Sequence, residues 1–276
     1  MRHPKKKGPA PVGVISKVFQ ILEAIQGAPS GLPLKSICQL TRINKSTAHR
    51  FLKHLERDGY LMHTESGVYL IGPRLAQMAA RVNHRATLQA AAQPILWELW
   101  KSTRETVNLA VLDQATVLYV DVLESPHEFR LSSRVGTRRQ LHATALGKAL
   151  AAFLPEEQIE DILGGVTFQP LTPKTIMNLV QLRQELEKIR QQGYAVDDEE
   201  TTLGARCVSA PILGAGQHAI AAISVSGPVT RVAPSQVATI AQAVIKAAAE
   251  ISAAMGFPRN ESVAAASRRE TSSVTS

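Results

Sequence analysis

The 276-residue chain predicts an α+β protein of two parts, a winged helix-turn-helix at the N-terminus and, after connecting helices, a larger mixed domain. Three observations carry that prediction. Residues 34–71, LKSICQLTRINKSTAHRFLKHLERDGYLMHTESGVYLI, spell a helix, a tight turn, a second helix and a β-hairpin in that order. Positive charge is confined to the same end, because residues 1–60 hold 11 Lys and Arg against 3 Asp and Glu while residues 61–276 hold 20 of each. From Thr106 the texture changes to β-rich runs, VNLAVLD and TVLYVDVLE, followed by helical and strand-like blocks.

The first elements follow from local signals. Residues 1–12, rich in Lys and Pro, carry too little apolar surface to fold alone and are expected to be a flexible basic arm. Ile15, Val18, Phe19, Leu22 and Ile25 recur at helical spacing and predict a first helix ending near Gly27, with Pro29, Ser30 and Gly31 as a loop. A short helix over 34–40 is expected to turn Leu34, Ile37 and Leu40 inward, and Thr41, Arg42 and Ile43 make the turn. Asn44 is a good cap for the next helix. There Ala48, Phe51, Leu52 and Leu55 build one apolar face, while Lys45, Ser46, His49, Arg50 and Lys53 fall mainly on the other. Gly59 stops that helix, and Tyr60–Thr64 and Val68–Ile71 form a hairpin wing around Glu65-Ser66-Gly67. The winged domain thus spans 13–72, and a helix-turn-helix with its own positive charge has the footprint of phosphate contacts.

Pro73 opens a helical stretch to Asn83, and a second runs from about Thr87 to Thr103, so residues 73–104 read as linker helices. The second domain, 105–257, then contains an Arg-rich loop and HATALGKALAAFL, a loop feeding a buried helix. Further helices are predicted over 158–163 and 174–192, the latter with the stripe Ile176, Leu179, Val180, Leu182, Leu186 and Ile189 and with Gly193 at its end. RCVSAPIL and HAIAAISVSG flank Gly214-Ala215-Gly216-Gln217 as a hairpin, and Pro234 introduces a terminal helix to about Met255. Residues 258–276 are small, polar and charged, and are expected to be disordered.

Composition narrows the classes. A hydrophobic fraction of 45% suffices for buried cores. Cys38 and Cys207 stand far apart with no CxxC or Cys/His spacing, which argues against a disulfide framework or a zinc site and fits a reducing, cytoplasmic setting. Lys17 and Glu23 interrupt any signal-like apolar region, and no run reaches the roughly 20 apolar residues that span a bilayer. Neither a membrane nor a cofactor is implied.

Four ordered blocks, NKSTAHRFLKHLERDGYL, RVGTRRQLHATALGKALAAFL, GYAVDDEETTLGARCVSAPIL and AAISVSGPVTR, resemble the IclR family of bacterial transcription regulators over roughly residues 13–257. The resemblance implies a winged helix-turn-helix joined by helices to an α/β effector domain similar to GAF and PAS sensors, in a homodimer or a tetramer made as a dimer of dimers. It also implies a small organic acid as effector, with double-stranded operator DNA as the other partner. Carried over motif by motif, the effector contacts are Ala145 and Leu146 through backbone groups, Asp197, Cys207, Ser224 and Ser226. Leu146 departs from the small residue found there in relatives that take very small acids, which argues against glyoxylate-like specificity. Ser224 and Ser226, two apart on a strand, project to one face where their hydroxyls can donate to one carboxylate.

Each residue has a plainer reading beside the functional one. Ser-x-Ser is commonly a solvated strand face, Asp197 can cap a turn, Cys207 can simply pack, and His142 reads as a structural histidine. Arg134, Arg138 and Arg139 either attract an anionic effector or lie at a subunit contact. On the DNA side, Ser46, Thr47 and Arg50 are placed to hold phosphates, Lys45 and His49 to meet base edges, Lys53 lies on the same basic face, and residues 63–66 form the wing tip. The residues leave repressor and activator open, with repressor favoured. An enzyme reading would make Cys207, His142 and Asp197 a nucleophile, base and orienting acid of a hydrolase, yet no nucleophile elbow or metal spacing accompanies them.

Overall fold

The computed structural model describes residues 13–80, 84–214 and 217–256. The expected basic arm, the expected disordered tail and the middle of the Gly214–Gln217 turn lie outside the described residues. Contacts divide the chain into two compact units, 1–83 and 84–276, each with its own core.

The first unit is a winged helix-turn-helix. Its elements are α1 (Gly13–Gln26), β1 (Leu32–Pro33), α2 (Leu34–Thr41), α3 (Lys45–Arg57), β2 (Leu61–His63), β3 (Val68–Ile71) and α4 (Pro73–Ala80). Ile21, Ile25, Ile37, Ile43, Ala48, Leu52, Leu61 and Tyr69 make the core. α1 has more apolar residues than one face can use. Ile21 and Ile25 turn inward, whereas Ile15 and Phe19, expected inside, are exposed. Leu40 is likewise 64% exposed, because α2 is only two turns long and Ile37 alone fills its buried position. α2 ends at Arg42 in the left-handed region (φ 55°), which reverses the chain into α3. The wing is an antiparallel pair in which Leu61 faces Ile71 and His63 faces Tyr69. β1, not anticipated from the sequence, adds a third strand on the other side of β3.

The second unit is built on α5 (His84–Thr103), β4 (Thr106–Asp113), β5 (Thr116–Leu123), β6 (Arg138–Gln140), α6 (Ala145–Ala152), α7 (Glu156–Gly164), α8 (Leu179–Gln192), β7 (Ala195–Asp198), β8 (Ala205–Leu213), β9 (Ala219–Pro228) and α9 (Val237–Ala254). Its six strands run in the order β6-β5-β4-β9-β8-β7 and all pair antiparallel. Alternation along each strand feeds two cores. Val107, Leu109, Ile223 and Val225 point to one side with residues of α5 and α9, and Ala110, Val117 and Ala222 point to the other with α6 and α8.

α5, expected as half of a linker, buries Leu88, Ala92, Leu96 and Leu99 in the core of this unit despite Pro94 within it. α8 begins at Leu179 with Asn178 as its cap, later than the predicted start at Lys174, and Val180 is exposed while Leu182, Leu186 and Ile189 carry the buried stripe. The short strands β6 and β7 gave no clear periodic signal. The stretch Pro234–Ala254, which ends in α9, is long and apolar enough to cross a membrane by length and composition, an exception to the sequence reading. Val244, Ala248 and Ile251 of that helix belong to the core shared with β8, β9 and α5, which accounts for its apolar composition.

Every residue of α6 is buried, and Gly147 is required there. A Cβ on it would lie 2.3 Å from the carbonyl oxygen of Leu141. This close approach, with the Thr144 side chain accepting from the Gly147 N–H at 3.0 Å, presses the first turn of α6 onto its entering loop.

Candidate functional site

Two sites emerge, one in each unit, and they differ in construction. On α3 the side chains of Lys45, Ser46, His49, Arg50 and Lys53 are exposed and Thr47 is half-buried. Asn44 caps the helix, accepting from the Thr47 N–H at 2.9 Å and from the Ser46 hydroxyl at 3.2 Å. Ser46 therefore spends its proton on the cap, and Lys53 is paired with Glu56 at 3.1 Å. In the wing, the His63 ring stacks on Tyr69 at 4.2 Å, and the Thr64 and Ser66 hydroxyls bond each other at 2.8 Å. The helix thus offers a first turn of backbone N–H groups and a basic outer face, the geometry that receives phosphates.

The second site is a cavity of about 240 Å³ between the sheet face that carries β9 and the entry to α6. All six residues marked in the sequence as effector contacts, Ala145, Leu146, Asp197, Cys207, Ser224 and Ser226, line it. They come from four separated segments. The sheet explains the meeting: Asp197 on β7 is directly across from Cys207 on β8, which is across from Ser226 on β9. Tyr119 of β5 also lines it, with Arg139 of β6 exposed at the rim, and Leu131 to Ser133 of the Arg-rich loop are among the other lining residues.

The polar groups of the cavity wall are held by hydrogen bonds within the fold. Ser224 and Ser226 each accept from the Asn108 amide on β4, at 3.1 and 3.2 Å. Asp197 caps the turn after β7, with Oδ1 accepting from the Glu200 and Thr201 N–H groups at 2.8 and 3.2 Å and Oδ2 from the Thr201 hydroxyl at 2.6 Å. The turn-capping alternative is thus realised, and the same side chain borders the cavity. Burial nonetheless raises its carboxyl above the ordinary range, more than these hydrogen bonds and Lys148 lower it. Burial, and next the charge of Asp197, raise the Cys207 thiol well above its usual value; burial does the same to the Tyr119 phenol. Both face the cavity as neutral groups.

A buried ion pair stands behind this wall. Lys148 of α6, 1% exposed, donates to the Val196 carbonyl oxygen at 2.7 Å and to the Glu200 carboxylate. Burial pushes Glu200 up to about 7 against the opposing pull of Lys148. The pair ties the helix that carries Ala145 and Leu146 to the turn capped by Asp197. Sequence reasoning missed it, together with Asn108 and Tyr119. Tyr119 alone left a signal, since it shares with Val117 the face of β5 directed at α6.

The hydrolase constellation does not assemble. His142 is fully buried with its ring 5.0 Å from Phe168, and it is not among the residues lining the cavity. Both oxygens of Asp197 are engaged by the turn, and a thiol held protonated is the opposite of an activated nucleophile. Of the three loop arginines, Arg139 lines the cavity and Arg138 pairs with Asp113 at 2.6 Å. Among the described residues no group of three His, Cys, Asp or Glu could hold a metal ion.

Comparison with known proteins matches both units. A model of the IclR helix-turn-helix domain covers residues 14–64, and one of the bacterial transcriptional regulator IclR C-terminal domain covers residues 80–253. The chain is similar to the HTH-type transcriptional regulator KdgR of Escherichia coli, 32% identical across 91% of this chain and 95% of that protein. It is 33% identical to the transcriptional repressor IclR of E. coli, across 89% and 90% of the two chains. Among solved structures it resembles IclR of Thermotoga maritima, with a TM-score of 0.60 and 31% identity over 89% of this chain and 99% of that one.

Proposed function

The chain belongs to the IclR family of bacterial transcriptional regulators, and on that basis we propose that it represses a metabolic operon and that a small organic acid in the cavity alters its grip on operator DNA. The observation that carries this reading is the cavity itself. Residues distant in sequence meet around about 240 Å³, below the usual range of roughly 300–1,000 Å³ for drug-sized ligands and suited to a small metabolite. Two serine hydroxyls and the first-turn N–H groups of Ala145 and Leu146 are donors for a carboxylate, with Arg139 at the rim to attract it. Asp197 shapes the wall, and Oδ2, which accepts only from the Thr201 hydroxyl, has a lone pair left for a ligand hydroxyl rather than the acid group. Leu146 closes the apolar end, and the Cys207 thiol packs against the ligand as a soft neutral contact.

On the first unit, Lys45 and His49 read base edges while Ser46 through its backbone N–H, Thr47 through its hydroxyl, and Arg50 and Lys53 secure the DNA backbone. The working form is a homodimer or a dimer of dimers, which suits an inverted-repeat operator. An effector that fits one arrangement of the assembly better than another shifts DNA affinity by that difference. Repression is supported by the relation to the E. coli repressor.

The test pairs two measurements on the full chain. Thermal stability is followed against a panel of short organic acids, and anisotropy of a labelled fragment from upstream of the gene reports DNA affinity with and without each stabilising acid. At least one acid should raise the melting temperature and change DNA affinity. No stabilisation by any acid, or stabilisation without an effect on DNA, overturns the effector reading.

A further inference from the structure

Behind the two cavity serines lies a residue that never touches the cavity. Asn108, 1% exposed on β4, is the cross-strand neighbour of Ser224, and Ser224 is in turn opposite Ser209 on β8. The Asn108 Nδ2 donates to both serine oxygens, at 3.1 and 3.2 Å, while its Oδ1 is buried without a hydrogen-bond partner, as is the Ser209 hydroxyl in the same row. The serine oxygens are 3.4 Å apart and both line the cavity; Asn108 does not.

An amide in this place decides which way the serine protons point. A hydroxyl oxygen that accepts from an amide N–H keeps its own hydrogen for another acceptor. At 3.4 Å one serine can donate weakly to the other, and a carboxylate in the cavity, the stronger acceptor, draws both hydrogens toward itself. With the amide turned over, Oδ1 would take both serine hydrogens and the pair would face the cavity as acceptors. That alternative would bury an NH₂ group with two unmade hydrogen bonds, whereas the observed one leaves a single oxygen unpaired, the smaller cost.

We propose that Asn108 is a positioning residue that sets the proton polarity of Ser224 and Ser226, so that the cavity presents two hydroxyl donors and selects a carboxylate over the matching neutral amide. The proposal rests on the reading of the cavity as an acid-binding site and adds the source of its selectivity. Each hydroxyl takes one carboxylate oxygen; an amide ligand offers one acceptor and one donor, and the donor meets a hydroxyl hydrogen.

Calorimetric titration of the full chain with acetate, pyruvate and benzoate, each beside acetamide, pyruvamide and benzamide, tests it. The unaltered protein should bind at least one acid about tenfold or more tightly than its amide, the scale of one hydrogen bond to a charged group. Asn108→Asp keeps the shape but accepts both serine hydrogens. It should lose about tenfold or more in acid affinity, change little toward the amide, and regain acid affinity as pH falls and the new carboxyl becomes protonated. Asn108→Ala should bring the acid-to-amide ratio toward one, and it carries the test if the aspartate variant does not fold. An unchanged ratio in a folded variant, or equal loss for acid and amide without pH recovery, overturns the polarity role and leaves the acid site standing. Failure of the unaltered protein to bind any acid overturns both.

Discussion

The two sites of this protein solve opposite problems. The face of α3 is solvated, so its charges need no partner in the fold, and among the described residues only Lys53 of the five residues Lys45, Ser46, His49, Arg50 and Lys53 is held in an ion pair, with Glu56. The cavity of the second unit is buried, and nearly every polar group around it is already bonded: Asp197 to its own turn, the serines to Asn108, Lys148 to Glu200. Water screens an exposed charge cheaply, but a buried polar group must find a partner or destabilise the fold. A binding face can therefore be specified by single residues, whereas a binding cavity requires a network behind it.

The contrast predicts unequal consequences of mutation. The largest effect is expected from Lys148→Met, which leaves Glu200 without its cation. Removing one partner of a buried pair costs about 3–5 kcal/mol, and denaturant unfolding should report this in the second unit while the first is unchanged. Loss of both units together would break the contrast.

The same pair gives a pH signature. Glu200 is raised from 4.5 to about 7 in the folded state, so its contribution to stability is fully present below about 4.5 and is lost as pH rises through about 7. Asp197, also raised, acts in the same direction. Without Lys148 the rise becomes greater, so Lys148→Met should be milder at pH 5 than at pH 8, and Glu200→Gln should flatten the profile of urea midpoints over that window. A Lys148→Met penalty independent of pH would show that lost packing rather than the charge pair is responsible.

Smaller effects should come from neutral groups of the cavity wall and from helix caps. Ser224→Ala with Ser226→Ala should weaken acid binding by about 10–100-fold, the value of one or two charge-assisted hydrogen bonds, with DNA affinity in the absence of acid unchanged. Asn44→Ala should cost about 1 kcal/mol of first-unit stability through the lost cap, seen as a lower thermal midpoint. Smallest in folding terms is Arg50→Ala. It should leave stability within about 0.5 kcal/mol and reduce the slope of log affinity against log salt by about one, and an unchanged slope would remove its phosphate role.

How legible each region was follows from the same distinction. The helix-turn-helix was readable because its signals are local: Asn44 as cap, the spacing of Ala48 and Leu52, and the turn at Gly67. Where apolar residues exceeded what one face can bury, as with Ile15, Phe19 and Leu40, periodicity could not choose the inward side. For the cavity, likeness to a family supplied Asp197, Cys207, Ser224 and Ser226, but nothing in the chain announced Asn108, Lys148 or Glu200. Their roles depend on strands paired across more than a hundred residues, as Asn108 is with Ser224.

From sequence alone came the order of the helices and of the longer strands, the confinement of charge to one end and the chemistry of the exposed face of α3, since these depend on short-range spacing and exposed side chains. Tertiary structure alone decided that α5 belongs to the core of the second unit, that Asp197 holds a turn while bordering the cavity, and that a lysine could be buried beside Glu200. Those outcomes come from pairing distant strands, and in a low-dielectric interior the partner a polar group finds determines what it can do.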